Sequence, residues 1–515
     1  MQPRDNPIQT PSTIRLVYWE SLVALRSRGV LVALAMFGLL LSIAIVLGVV
    51  RTQTRQNDAR TVEQENRLVK EIINGVLQGT LEPDKVAQDN SDRKSRLTKQ
   101  LRMTARSPYL VSHASDLWDV SLLPSPLSAL SVGASRNWPD LYRIHGVSLS
   151  KTIERSDQVR PVTSAYGPFD VAFVVMAIAP LVVIGLTFNA SSRDRESALQ
   201  NLIVAQTQSL GKLMAVRCFV RAALVSVLVV GVVNVALLIA MGSQFDTNVV
   251  LNLVIWNVVA TLYLLTWAAL SLLVNSFAKS SSANGAALLL LWLILVLLVP
   301  RFVSYAVQEA VPTLPESALV EAEKSTFDHA SENVDDLVKR FQSEHPEIEI
   351  DLEDEQQMTL LRYLLAHSAA GRQATENVSA YYWAQSKRAT YLNFCDWISP
   401  AISFRNQSDQ CSGNSEGAFI AFSARAAEVQ AEVLEVFLQP SVTNEQCTVE
   451  TIAALPGFQE TDIPKRVSFL NSILSIVSML VWLTILVSLG IRRFRVKDLS
   501  GERIGLPQKV GVENA

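Results

Sequence analysis

Charge is scarce where this chain is most apolar. Of 515 residues, 18% are Asp, Glu, Lys or Arg against 49% hydrophobic, with only five histidines and four cysteines. The one Gly-Lys pair, Gly211-Lys212, is followed by Leu213 and lacks an upstream glycine. No loop of backbone N–H groups is therefore offered to a nucleotide's phosphates. The histidines (His113, His145, His329, His345 and His367) are scattered singly, without His-x-x-x-His or Glu-x-x-His spacing, so no metal site is expected. No catalytic residue is assigned, because the apolar runs hold no His/Asp/Ser set able to activate water. The net charge of -3 says little by itself, but no basic stripe suggests nucleic acid, and none is expected as a partner.

What is present is apolar length. About 20 apolar residues cross a hydrocarbon core roughly 30 Å thick. Six stretches qualify: 30–50, 169–190, 218–241, 249–277, 284–303 and 468–490. Charges occur in them only near the ends, at Asp170, Arg221 and Arg301. The expected fold is an all-α polytopic membrane protein with six transmembrane helices. The first stretch follows a polar arm and exceeds a signal-peptide core, so it is expected to remain in the mature chain. Ion-driven carriers bury carboxylates or histidines in their spans, and these spans are poor in both. Energy is expected to come from outside the bundle.

Basic residues beside spans are retained on the cytoplasmic side. Arg4, Arg15, Arg26 and Arg28 precede the first span; Arg193, Arg195, Lys212 and Arg217 lie between the second and third; Arg492, Arg493, Arg495 and Lys497 follow the sixth. The arm 1–29, the loop 191–217 and the tail 491–515 are thus expected inside, with both termini cytoplasmic. Segments 51–168 and 304–467 become two extracytoplasmic, mainly helical domains. In the second, helix formers run over 316–341, 354–394 and 417–438, with breaks at His345-Pro346, Ser399-Pro400 and Gln439-Pro440. Its acidic run from Glu344 to Glu355 lacks the spacing of a calcium loop and reads as a solvated turn. Cys395, Cys411 and Cys447 also fall there; Cys411 and Cys447, both in polar surroundings, are the preferred disulfide pair, though the sequence leaves connectivity open.

Within the arm, Ile14, Val17, Leu22 and Leu25 recur at helical spacing, while Arg15, Glu20, Arg26 and Arg28 occupy other positions. With Tyr18 and Trp19 at headgroup depth, this reads as an amphipathic helix on the inner membrane surface, its key residues Trp19, Glu20, Leu22 and Arg26.

The loop 191–217 is short, charged and helix-forming, and opens Ser192-Arg193-Asp194-Arg195-Glu196-Ser197-Ala198. It resembles the ABC-2-type permeases, in which an acidic E-x-E-S-G start, an apolar LLLAQP turn and a serine dock on the ATPase. Asp194, Glu196, Ser197, Gln206 and Ser209 match that pattern; Ala198 stands for the usual glycine and Thr207 for the usual proline. Gly167-Pro168-Phe169-Asp170, Ile398-Ser399-Pro400-Ala401 and Leu455-Pro456-Gly457-Phe458 are similar to a branch with large outer insertions between spans one and two and between five and six.

The resemblance implies a type V exporter-like permease in the bacterial inner membrane, contacting its ATPase through Asp194, Arg195, Glu196, Ser197, Gln206, Ser209 and Lys212. It implies a non-catalytic subunit that binds no cofactor itself, with ATP and Mg²⁺ on a separate ATPase present in two copies. It further implies a dimer with a second permease, the same chain or a paralogue, contact with membrane lipid, and a periplasmic partner for the outer domains. Two other functions fit the same sequence: a mechanotransmitter that moves its outer domains without transport, and a receptor or scaffold with no ATPase.

Overall fold

The computed structural model describes residues 13–80, 104–113, 119–142, 144, 169–192, 210–242, 246–277, 280–313, 316–346, 353–442, 445–455 and 469–499. Helix α1 (Thr13–Arg26) ends where Ser27 turns extended, at φ -77° and ψ 114°, and α2 (Arg28–Leu77) begins immediately after it. At about 1.5 Å per residue α2 is roughly 75 Å long. Its apolar first part is long enough to cross a membrane, and its charged remainder continues as the same helix without a break. A two-stranded antiparallel ribbon, β1 (Val120–Ser121) and β2 (Leu141–Tyr142), follows, with Val120 opposite Tyr142. The chain then forms α3 (Val171–Thr187), α4 (Leu210–Met241), α5 (Thr247–Phe277) and α6 (Ser281–Ala310). The second insertion supplies α7 (Glu316–Glu332), α8 (Val334–Glu344), α9 (Glu355–Phe394), α10 (Pro400–Cys411) and α11 (Glu416–Val442), and α12 (Phe469–Leu499) closes the bundle.

Five of these helices, α2, α4, α5, α6 and α12, are long and apolar enough to cross a membrane. The stretch expected as the second span forms the shorter apolar helix α3, interrupted by a π turn at Val174–Ile178. A second π turn, Leu293–Leu298, interrupts α6. Each lies just ahead of a proline, Pro180 or Pro300, which has no N–H to give to the carbonyl four residues back. In α3 that carbonyl belongs to Met176, and the Tyr263 hydroxyl donates to it at 2.7 Å. Trp292 Nε1 donates to Ala177 O at 2.9 Å, and Ser399 Oγ to Leu295 O at 2.9 Å. Side chains of neighbouring elements thus satisfy backbone that lipid cannot.

Helix α5 is the axis: 44% of its apolar window is buried, against 17–33% for the other four spans. Trp256, Tyr263 and Trp267 are enclosed in the bundle core, where the Tyr263 ring stacks on Phe404 of α10 at 4.9 Å. Helix α10 therefore packs back into the bundle rather than standing clear of it.

The two insertions share one core. Ile72 and Ile73 of α2, Trp138 and Tyr142 of the first insertion, and Phe419, Phe422, Val433 and Phe437 of α11 form a single cluster. The break expected at Gln439-Pro440 does not end α11, which runs to Val442 with Pro440 inside its last turn. The Cys411–Cys447 disulfide is also corrected. Both thiols are free and buried, Cys411 in the bundle cluster and Cys447 in the shared outer cluster. Their polar sequence neighbours concealed that each packs as a small apolar side chain.

Candidate coupling junction

The described ends of the 193–209 segment, Ser192 and Leu210, are both buried at one end of the bundle. Around them is a polar lattice built by five helices. Thr187 at the end of α3 meets Ser271 of α5, hydroxyl to hydroxyl, at 2.8 Å. Asn275 Nδ2 donates to Thr187 O (3.2 Å) and Ser271 O (2.8 Å), while its Oδ1 accepts from Asn284 Nδ2 of α6 at 3.0 Å and from Ser191 N at 3.4 Å. The Ser192 and Ser281 hydroxyls lie 2.7 Å apart. Arg221 of α4 donates to Leu186 O.

Arg217 of α4 ties α1 into this lattice. Its Nε donates to Glu20 Oε1 at 2.7 Å and its Nη1 to Ala190 O at 3.1 Å. Both partners of the ion pair are more than four-fifths buried, so removing one leaves a poorly solvated charge behind. On the outer side of α1, Ile14, Tyr18, Trp19, Val23 and Leu25 are exposed, while Ala24 alone is fully buried among the described residues of this helix. Leu22 is half-buried and Arg26 exposed. The helix thus presents Glu20 to the bundle and aromatic and aliphatic side chains away from it.

Of the residues expected to contact an ATPase, Asp194, Arg195, Glu196, Ser197, Gln206 and Ser209 lie outside the described residues; Lys212 is exposed on the first turns of α4. Beside it, Gly211 is packed against Phe494 of α12, where an added Cβ would stand 3.1 Å from the Phe494 Cβ. That Gly-Lys pair belongs to a helix contact and does not form a phosphate cradle.

At the opposite end of the bundle a second polar lattice joins α2 to both insertions. Asp170 caps α3 by accepting from Phe173 N at 2.6 Å, and also accepts from Val132 N at 2.7 Å. Asp409 pairs with Arg405 at 3.2 Å and accepts from Ser131. Arg55 pairs with Asp140 at 2.8 Å and donates to Asn414 Oδ1 at 3.2 Å. Burial pushes the Arg55 guanidinium down to about 10, so it stays cationic at neutral pH. Nearby, Asp396 accepts from Ser475 Oγ (2.6 Å) and Asn406 Nδ2 (2.7 Å), and Ser478 Oγ donates to its carbonyl at 2.9 Å. Ser472, Ser475 and Ser478 form a three-residue ladder on α12 that faces this turn and Gln407 of α10.

Sequence reasoning missed the Glu20–Arg217 pair, the Asn275–Asn284 contact and Asp396. The signals present were Arg221 and the asparagines at the ends of apolar runs, and the Ser-x-x-Ser-x-x-Ser spacing of α12. It also passed over Gly413-Asn414-Ser415-Glu416-Gly417, which has the spacing of a hydrolase nucleophile elbow. Here it joins α10 to α11, helix to helix, without the strand such an elbow requires. No group of three or more His, Cys, Asp or Glu arranged for a metal occurs among the described residues.

A comparison with curated proteins gives no match. Residues 209–499, from the start of α4 to the end of α12, match the model of the family described as ABC-2 family transporter protein. That match covers more than half of the 515 residues, and the chain belongs to the ABC-2 transporter family as a multi-pass membrane permease subunit.

Proposed function

We propose that this permease subunit passes the motion of a separate ABC ATPase to the two insertions through the lattice around Glu20 and Arg217. The observation that carries the reading is that both described ends of the 193–209 segment are anchored. Ser191, Ser192 and Leu210 are buried, and the hydrogen bonds around them reach α3, α4, α5, α6 and, through Arg217, α1. A push that reaches these anchored ends is passed to helices packed against one another.

In this reading Asp194, Arg195, Glu196, Ser197, Gln206, Ser209 and Lys212 meet the ATPase, and α1 lies on the headgroups with Trp19 toward lipid. The basic residues at this end, among them Arg26, Arg28, Arg217, Arg492 and Arg493, support a cytoplasmic placement of both termini in the bacterial inner membrane. ATP and Mg²⁺ then belong to the partner, two ATPases serving a pair of permeases, the same chain or a paralogue. The insertions lie on the periplasmic side, where the surface of the domain they form together can meet a periplasmic protein. ATP hydrolysis drives movement of a substrate across the membrane.

The test is co-purification followed by ATPase stimulation. The tagged chain brings down an ABC ATPase, and Glu196→Lys abolishes that association. Glu20→Arg and Arg217→Glu each reduce stimulation while the ATPase stays bound, and combining them restores at least part of it. A pair of this burial couples by about 0.5–3 kcal/mol. A tagged chain that never recovers an ATPase, together with a Glu196→Lys variant of unchanged function, would overturn the assignment.

A further inference from the structure

Outside the bundle, a cleft of about 580 Å³ opens between the two insertions. Among the described residues it is lined by Tyr109 of the short helix Pro108–His113 and by Glu355, Thr359, Leu360 and Tyr363 at the start of α9. Glu355, Thr359 and Tyr363 are spaced four apart, so they share one helix face over about 12 Å. A cleft of this size suits a single small organic molecule.

Its walls are set by aromatic packing. The Tyr109 and Tyr363 rings lie 6.3 Å apart with their planes at 79°. Behind Tyr363, the rings of His367 and of Phe327 on α7 lie 4.3 Å and 6.4 Å away. Tyr109 and Leu360 also pack on the cluster of Val338, Phe341 and Leu361. Both tyrosines are therefore seated in advance of any ligand. Burial, helped by the neighbouring Tyr109, pushes the Tyr363 phenol above its ordinary value, so that ring is neutral at pH 7.

The charge around the cleft has one sign. Glu355 is exposed, and its carboxylate has no hydrogen bond or ion pair among the described residues. The Thr359 hydroxyl donates to the Glu355 carbonyl at 2.7 Å and leaves that carboxylate alone. Arg362, the first cation along α9, pairs instead with Asp335 of α8 at 2.9 Å. From Glu344 to Glu355 the chain carries seven carboxylates and no Lys or Arg. The helix N-terminus at Glu355 contributes only about +0.5 charge, which Glu353, Asp354 and Glu355 together exceed.

We propose that this cleft binds a small organic ammonium compound, with its cationic head against the Tyr109 and Tyr363 rings and the Glu355 carboxylate. An aromatic face attracts a cation through its quadrupole, and a nearby carboxylate adds to that attraction. An anionic ligand would meet no cationic side chain among the described lining residues. A neutral apolar ligand would gain nothing from Glu355. Because Tyr109 comes from the first insertion and the other lining residues from the second, a bound cation bridges the two.

The test is saturation-transfer NMR on the full chain in maltoside detergent at low salt, with choline as the probe and 3,3-dimethylbutanol as its uncharged isostere. Choline is expected to give a saturable signal, and the isostere to bind at least about ten-fold more weakly, since two rings and one carboxylate each contribute about two- to five-fold. Glu355→Gln and Tyr363→Leu each weaken choline binding by about two- to five-fold, whereas Tyr363→Phe, which keeps the ring, leaves it unchanged. Thr359→Arg places a fixed cation in the cleft and abolishes the signal. Glu355 and Thr359 are exposed, so their variants are expected to fold and decide the matter if Tyr363→Leu does not. Equal affinity for the two probes would make the cleft merely apolar. Choline binding unmoved by Glu355→Gln and Thr359→Arg would place the site elsewhere, and no saturable signal in the wild type would leave the cleft to a protein partner. Each of these results overturns the proposal. The measurement needs no ATPase, so its outcome is independent of the coupling assignment.

Discussion

Substituting Gly48 by alanine tests how the first insertion is locked to α2. A Cβ at this position would stand 2.2 Å from the carbonyl oxygen of Ala129, and 3.0 and 3.1 Å from its C and Cα, all backbone atoms. Relief requires the 125–137 segment to retreat by about 1 Å, since normal contact begins well above 3 Å. That segment is held by Ala172 N to Leu130 O at 2.9 Å, Val132 N to Asp170 at 2.7 Å, Ser128 Oγ to Ser412 O at 3.1 Å and Ala134 N to Asn414 O at 2.8 Å. Overpacking costs about 1–3 kcal/mol, and each loosened hydrogen bond about 1 kcal/mol. Against this stands the gain of up to about 1 kcal/mol for replacing a helical glycine. The net expectation is a loss of about 2–4 kcal/mol. Gly38→Ala in the same helix is the control, because its Cβ meets only the Leu228 methyls, Cδ1 at 3.6 Å and Cδ2 at 3.7 Å, and it is expected to be neutral or stabilising. Thermal unfolding of the detergent-solubilised chain reads both. A Gly48→Ala variant that melts at or above the wild type would refute the close approach and the lock built on it.

Three further outcomes are expected. Tyr263→Phe removes the donor to Met176 O and lowers stability by about 1–3 kcal/mol, whereas adding Pro180→Ala returns a backbone N–H for that carbonyl and recovers most of the loss; equal losses in both backgrounds in a melting experiment would show that the proline does not create the need for the tyrosine. Burial raises the Asp396 carboxyl from the ordinary 3.8 to about 6, the hydrogen bonds from Ser475 and Asn406 opposing the shift. The folded state therefore binds that proton more tightly, so stability falls by on the order of 3 kcal/mol as pH rises from about 4 through 6 and then levels; Asp396→Asn abolishes that fall, and an unchanged pH profile of unfolding would contradict it. Maleimide labelling after denaturation without reductant is expected to modify all four cysteines; two protected thiols would contradict the free Cys411 and Cys447.

The spans were readable because apolar length is a local property. A run such as 249–277 must be helical to satisfy its own backbone in lipid, whatever surrounds it. The amphipathic character of α1 and the long helices of the second insertion were legible for the same reason, from periodicity within each segment. The junction was not. Glu20 and Arg217 are 197 residues apart, and Asn275 meets Thr187 across 88. Each is an ordinary polar residue in its own stretch and acquires a partner only when the helices assemble. Cys411 and Cys447 show the converse, polar in sequence context and apolar in their packing.

By itself, then, the sequence determined which segments are apolar, five of them forming helices long enough to cross a membrane, and the asymmetry of basic charge beside them. These follow from solvation of short stretches. Only the tertiary structure decided that the insertions share one core, that the Met176 carbonyl left open by Pro180 is met by Tyr263, and which polar groups join α1 to the bundle. Those outcomes depend on which buried donors and acceptors become neighbours, and distances of that kind do not exist until the chain is packed.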